Sequence, residues 1–401
     1  MDAVKQLLEN AVENGTIAGC ACIASNKDGS FRYEEAVGVD SLASEPSEPV
    51  ATSSVFPLIS STKLMTVVAA LQLVERGALE LDQDVAPLIP ELASQPVLAG
   101  QLDAPVAVRR RNPLLLKYLL SHSAGTPYPG FSDVPAGYMA EQWSNLSNCT
   151  TVDARYGVPL TFEPGESFAY GFAIDWVGKI VERVSGEPSL EAYMRKHIWE
   201  PLGIQGITFW PDEHPRVKSK LVQPVQRTPD GGVEPSTAKS INDGLQECFG
   251  GQGAYARLDD FHKILQSLLA NDGKLLAPDA ATEMFKPQLT APGKAALNAM
   301  LRDPTRAASV LGDVSAPLAR DWNLAGLMAS EDDPDGRKKR GATFWYGMLN
   351  FYWFMDVEAG LCGAFGVSLL PMADAKLKDL ILAWQRSMYD MLKKQEEQQG
   401  L

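Results

Sequence analysis

The chain has 401 residues, 45% of them hydrophobic and 21% charged, and 36 Lys and Arg face 50 Asp and Glu for a formal net charge of −14. Such a composition belongs to an ordinary globular protein with enough chain for one large or two modest cores, and it excludes a disordered polymer. The negative balance repels phosphate backbones and anionic lipid, which excludes nucleic acid and membrane surfaces as partners.

At the N-terminus Val4, Leu7, Leu8, Ala11 and Val12 form one helical stripe behind Asp2, without the basic start and unbroken apolar run of a signal peptide. Ala18 to Ile23 and Phe31 to Val39 read as strands joined by the turn Asn26-Lys27-Asp28-Gly29. The next helix begins at Ser60. Leu64, Val67, Val68, Leu71 and Val74 recur at helical spacing, and Arg76-Gly77 supplies a basic last turn and a stop. Helical patterns return over Pro113 to Leu120, Gly171 to Val184, Leu190 to Ile198 and Asp259 to Leu269, separated by Pro- and Gly-rich loops. Residues 286–340 show no clean period, and Glu331 to Gly336 reads as an exposed loop. Strands resume at Thr343 to Met348, Phe351 to Asp356 and Leu361 to Val367, and the last helix, Asp374 to Lys394, carries Leu377, Leu380, Ile381, Trp384, Met388 and Met391 on one side.

Strands at both ends with helices between them predict an α/β part plus an all-α part: an antiparallel sheet from residues 1–58 and 254–401, flanked by the terminal helices, with a mainly helical domain, 59–253, inserted. The catalytic cleft is expected between the two. No segment is apolar for the length of a membrane span. The five cysteines have no zinc or framework spacing, which fits a reducing, cytoplasmic location, and the four scattered histidines predict no metal site. Arg109-Arg110-Arg111 and Arg337-Lys338-Lys339-Arg340 read as solvated loops.

Ser60-Ser61-Thr62-Lys63 sets a hydroxyl and an amine three residues apart at the start of the apolar helix. Residues at that spacing share a helical face, so a neutral Lys63 can help draw the proton from Ser60 and make an acyl-transfer nucleophile. The motif alone is weak, because serine is also a favoured helix cap. Ser236-Thr237-Ala238-Lys239 repeats the spacing inside a loop composition that offers no common face, and is set aside. Ser121-His122-Ser123-Ala124-Gly125 nearly matches a nucleophile elbow, but Ser121 stands where glycine is required and no strand precedes it, so His122 reads as a structural hydrogen-bonding residue.

Further segments resemble one family in its own order along nearly the whole chain: Leu119-Leu120-Ser121-His122, Phe162-Glu163-Pro164-Gly165, Tyr170-Gly171, Asp175-Trp176-Val177-Gly178-Lys179 and Phe249-Gly250-Gly251-Gln252-Gly253. With Ser60 to Lys63 they resemble the serine β-lactamase and penicillin-binding-protein superfamily. The likeness is to its branch of β-lactamase-like (family VIII type) esterases and fungal acyltransferases of the lovastatin side-chain transferase type. The resemblance implies the β-lactamase-like fold, with Ser60 as nucleophile, Lys63 as the assisting lysine and Tyr170 as the base that shuttles the proton. It also implies two backbone N–H donors for the oxyanion, from Ser60 and from the edge strand of the third motif, which here points to Met348. A nearby Lys63 cation would lower the phenol of Tyr170 from its ordinary range. Which of the two takes the first proton stays open.

Departures from the family speak to substrate. Phe172 stands where β-lactamases keep an asparagine, and Trp345-Tyr346-Gly347 replaces the lysine-threonine-glycine that binds an antibiotic's carboxylate. An aromatic wall favours an uncharged, apolar acyl or alcohol group. Tyr128, Phe131, Tyr138 and Trp143, threaded with proline and glycine, read equally as a loop over the cleft, which would make Tyr128 and Trp143 substrate contacts, or as ordinary packing. The expectation is a serine ester hydrolase or acyltransferase on an ester or thioester of a polyketide-type secondary metabolite, acting as a monomer with no cofactor. The alternatives are a dedicated acyltransferase to a bulky alcohol and a non-catalytic ligand-binding member of the fold. Loss of Ser60, Lys63 or Tyr170 would favour the latter, and none is lost.

Overall fold

The computed structural model describes residues 3–43, 46–101, 104–129, 131, 148–310, 319–334 and 337–399. Helix α1, Ala3–Glu13, turns Val4, Leu8 and Ala11 inward. Strands β1, Gly19–Asn26, and β2, Arg32–Gly38, form the expected hairpin, with Ala24 opposite Tyr33 and Cys20 opposite Val37. β1 is buried on both faces, as a central strand must be, whereas β2 buries Tyr33 between the outward Arg32 and Glu34. After the short β3, Val55–Pro57, comes α2, Lys63–Glu75. The expected one-sided stripe is an understatement. Every residue from Lys63 to Leu73 is buried, because α2 runs through the interior with packing on all sides.

The middle of the chain adds a hairpin absent from the sequence reading, β4 (Val97–Gln101) and β5 (Ala104–Val108). Helices α3 (Leu116–Leu120), α4 (Ala173–Ser185) and α5 (Leu190–Met194) lie close to their predicted spans, although α3 begins three residues after Pro113. Strand β6, Tyr255–Arg257, pairs with β3 and leads directly into α6, Leu258–Ala270.

Residues 286–340, expected to be irregular, contain α7, Ala291–Arg302, and two three-residue strands, β7 (Arg320–Trp322) and β8 (Leu327–Ala329). Strands that short leave no legible alternation. Nor is the acidic loop simply exposed, because Asp333 is buried and pairs with Lys338 at 3.1 Å, which also removes Lys338 from the solvated basic run. Strands β9 (Thr343–Tyr346), β10 (Tyr352–Asp356) and β11 (Leu361–Gly366) follow, and the chain closes with α8, Ala375–Gln399.

The seven strands of the main sheet run β7-β8-β9-β10-β11-β1-β2, antiparallel throughout. β11 lies beside β1 with Cys362 opposite Ser25, so the first and last thirds of the chain share one sheet. α8 seals one face. Trp384 is fully buried against Phe354 and Phe365, with ring centroids 5.9 and 5.5 Å away, and Asp374 caps the helix by accepting from the Leu377 N–H at 2.9 Å while pairing with Arg227 at 2.7 Å. Trp384→Ala is expected to cost about 3–5 kcal/mol. A lower urea midpoint at unchanged slope checks it, and an unmoved midpoint would show that the helix does not hold the sheet.

Candidate active site

The turn that carries Ser60 is fastened on three sides. β3 is held by β6, with Phe56 opposite Ala256. Ile59 then adopts φ +46, a conformation costly for a β-branched residue, and starts a tight turn, Ile59–Thr62, that runs into α2. The Ser61 hydroxyl donates to the Phe351 carbonyl at 3.2 Å, and Thr62 Oγ1 accepts from the Ala254 N–H at 3.1 Å. Ser60 caps nothing and is the half-buried member of the three. Against this turn lies Gly347, where a side chain would run into the Leu58 carbonyl at 2.2 Å, so glycine lets the end of β9 approach the Ser60 turn.

Lys63 is buried, with Nζ 3.3 Å from Ser60 Oγ, 3.3 Å from the Tyr128 hydroxyl and 2.7 Å from the Gly251 carbonyl. Burial pushes its amine down to about 7, against the opposing pull of the Asp175 carboxylate. Asp175, in the first turn of α4, has no exposed surface. It accepts from the Gly251 N–H at 2.8 Å and from Tyr128 at 3.3 Å, and burial raises it against the pull of Lys63.

Tyr170 hydrogen-bonds with Ser60, and its oxygen accepts from the Trp345 indole N–H at 2.9 Å. Burial pushes the phenol well above its ordinary range, outweighing those two bonds, so the resting group is neutral. Lys63 Nζ lies 4.9 Å from the centre of the Tyr170 ring. The backbone around Tyr170 is clamped by His122, which accepts from the Ala169 N–H on its carbonyl at 3.1 Å and from the Gly171 N–H on Nδ1 at 3.3 Å. Burial and the neighbouring Lys63 keep that imidazole neutral. Gly171 is required because a Cβ there would lie 1.7 Å from the Thr126 carbonyl, the contact that brings Tyr128 alongside Tyr170. Of the three residues singled out from sequence, Ser60 thus stands within hydrogen-bond reach of both Lys63 and Tyr170.

The family model described as Beta-lactamase matches residues 4–384. The chain belongs to the beta-lactamase family. Among its curated relatives, the lovastatin esterase of Penicillium rubens is 35% identical over 94% of this chain and 96% of that protein. The monacolin J acid methylbutanoyltransferase of Aspergillus terreus is 31% identical over 94% and 93%. A solved LovD6 mutant of the simvastatin synthase from Aspergillus terreus superposes with a TM-score of 0.89 at 30% identity, covering 98% of this chain and 95% of that one. EstCE1, a hydrolase with promiscuous acyltransferase activity, shares the fold with a TM-score of 0.75 at 22% identity, covering 97% of each chain. The chain is therefore a beta-lactamase-family enzyme of the serine esterase and acyltransferase branch, and its mixed α/β architecture is the β-lactamase-like fold.

Within this beta-lactamase fold the strand carrying Trp345-Tyr346-Gly347 is not an edge strand along its length. β9 lies between β8 and β10, but the register with β8 covers only Thr343 and Phe344, whereas that with β10 runs from Thr343 to Tyr346. Regular pairing ends at Tyr346, and Met348 lies two residues on, in a turn closed by the Asn350 N–H donating to Gly347 at 2.7 Å. Among the described residues the Met348 amide donates to no backbone carbonyl.

The predicted substrate contacts separate. Trp345 borders a small cavity beside Ser60, shared with Lys63, Leu64, Val67 and Leu324. Tyr346 turns its hydroxyl to the Ser309 carbonyl. Phe172 is in the core, 1% exposed and stacked on Tyr156 at 4.6 Å, because helix α4 starts one residue later and carries its ring inward. Tyr128 belongs to the Lys63 and Asp175 network, and Trp143 lies outside the described residues. Sequence reasoning missed Asp175 as a site residue, and missed Trp322, Leu324 and Ala325 on the cavity wall. An acid amid Ile174, Trp176 and Val177 was the available signal for the first, whereas the others sit in the segment without a period. Among the described residues no cluster of three His, Cys, Asp or Glu is placed to hold a metal, no cysteine is joined in a disulfide, and no helix is long and apolar enough to cross a membrane.

Proposed function

We propose that Ser60 forms an acyl-enzyme with an uncharged ester or thioester of a polyketide-type secondary metabolite and passes the acyl group to water. The reading is carried by the contact between Ser60 Oγ and a Lys63 amine that burial has stripped of much of its affinity for a proton. Lys63 takes the Ser60 proton as the bond from Oγ to the acyl carbon forms. With Tyr170 pushed up and Lys63 pushed down, the lysine is the better first acceptor, and Tyr170 carries the proton to the leaving oxygen or sulfur as that bond breaks. The backbone amides of Ser60 and Met348 suit the oxyanion, and a cleft between residues 1–58 with 254–401 and residues 59–253 is supported by a cavity lined from both, by Lys63 and Val67 on one side and Trp322 and Trp345 on the other. The cavity wall is apolar apart from Ser60, Lys63 and His122, and Lys63, its one cationic side chain among the described residues, is engaged with Ser60 and Gly251, which supports an uncharged acyl group.

Transfer to an alcohol is the second reading, supported by the methylbutanoyltransferase relative, which aligns over the same 94% of the chain as the esterase. The five cysteines, none in a disulfide among the described residues, support a cytoplasmic location. The test is a fluorophosphonate label with peptide mass mapping, followed by kcat/KM for an aryl butyrate and for nitrocefin. A covalent adduct on the peptide holding Ser60 and butyrate turnover at least roughly tenfold faster than nitrocefin are expected. No adduct, or faster nitrocefin turnover, would overturn the reading, and acyl transfer to an added secondary alcohol outrunning hydrolysis would replace it with the second.

A further inference from the structure

Behind Ser60, Lys63 closes a ring of hydrogen bonds with Tyr128, Asp175 and Gly251, three residues to which the proposed acyl chemistry gives no step. Lys63 Nζ donates to the Gly251 carbonyl at 2.7 Å, the Gly251 N–H donates to Asp175 Oδ1 at 2.8 Å, the Tyr128 hydroxyl donates to Asp175 Oδ2 at 3.3 Å, and that hydroxyl accepts from Lys63 Nζ at 3.3 Å. A carboxylate with no exposed surface is costly to keep, and among the described residues Asp175 makes no direct ion pair. The cations that act on it are Lys63 and Arg155. The other titratable groups around the ring are Tyr156, Tyr170 and His122. Burial raises both phenols and lowers the imidazole, so all three are neutral and, among the described residues, Asp175 is the one source of negative charge in the ring.

We propose that Asp175 is the positioning residue that sets the charge on Lys63, and with it the pH range in which Ser60 can be deprotonated. The inference rests on the reading that Ser60 and Lys63 carry acyl transfer. Each proton drawn from Ser60 turns the buried amine into an ammonium, and a carboxylate reached through Tyr128 and Gly251 stabilises that ammonium in the intermediate. The same charge has a cost in the free enzyme, because it holds Lys63 protonated to a higher pH than burial alone would allow. Tyr128 transmits the contact by hydrogen bonding but brings no charge.

The experiment is the pH dependence of kcat/KM for p-nitrophenyl butyrate from about pH 5 to 9 on the wild type, Asp175→Asn, Asp175→Ser and Tyr128→Phe. Loss of the carboxylate should move the acid limb of both Asp175 variants down by about one unit or more, with a lower plateau. Tyr128→Phe keeps the charge, so its plateau should fall while its limb stays within about 0.3 units of the wild type. An acid limb unmoved in both Asp175 variants, or moved equally by Tyr128→Phe, would overturn the proposal. Failure of both Asp175 variants to fold would also overturn it, by making the carboxylate a folding requirement. A wild type that neither turns over the ester nor labels at Ser60 would remove the functional reading itself, which separates the two failures.

Discussion

Ser60→Ala is expected to abolish turnover of short-chain aryl esters, by roughly 10⁴-fold or more, while leaving the protein folded. The stability cost should be about 1 kcal/mol or less, because the hydroxyl caps no helix and its neighbours Ser61 and Thr62 make the bonds that fasten the turn. Ser123→Ala and Ser236→Ala should stay active. Ser123 is buried and shares its hydrogen bonds with Ser121, and Ser236 lies in a loop at the surface. Initial rates with p-nitrophenyl butyrate and a urea melt check both halves. Near-normal turnover by Ser60→Ala would remove the acyl-enzyme altogether.

Lys63→Ala and Tyr170→Phe should each lower kcat by roughly 10³-fold, and the double variant should be hardly worse than either, because the two residues handle one proton. The geometry gives the reason: Ser60 is hydrogen-bonded to both. Tyr170→Phe also strands the Trp345 indole N–H, a buried donor whose loss of partner costs about 1–3 kcal/mol. In the wild type, activity should rise as the pH climbs through about 7, since the depressed Lys63 becomes the amine only above that value. Fully additive losses, or a rate flat from acid to neutral pH, would sink the coupled pair.

Trp345 shows how one residue is read differently in one and three dimensions. Its place in the third motif marked an aromatic wall for substrate, yet its indole also donates to Tyr170, so a Trp345 variant would change proton handling together with specificity. Phe172 went the other way. Its distance from Tyr170 suggested a cleft position, and stacking on Tyr156 took it into the core.

What the sequence determined by itself are the local and periodic features. The stripes of α1, α6 and α8 and the alternation of Arg32, Tyr33 and Glu34 in β2 follow from side chains whose spacing decides which face can leave water. Ser60 and Lys63 are one turn apart along one helix, and that proximity needs no fold. Only the tertiary structure decided what those groups feel. Asp175 is 112 residues from Lys63, and it becomes a site residue because α4 packs beside α2 and closes the ring through Tyr128 and Gly251. Likewise the cavity wall at Trp322 and Leu324 comes from a hairpin whose three-residue strands are too short to print a pattern. Desolvation is the physical reason for the division: a residue's order along the chain fixes its neighbours in the helix, but the charge on Lys63 depends on which distant side chains displace water around it.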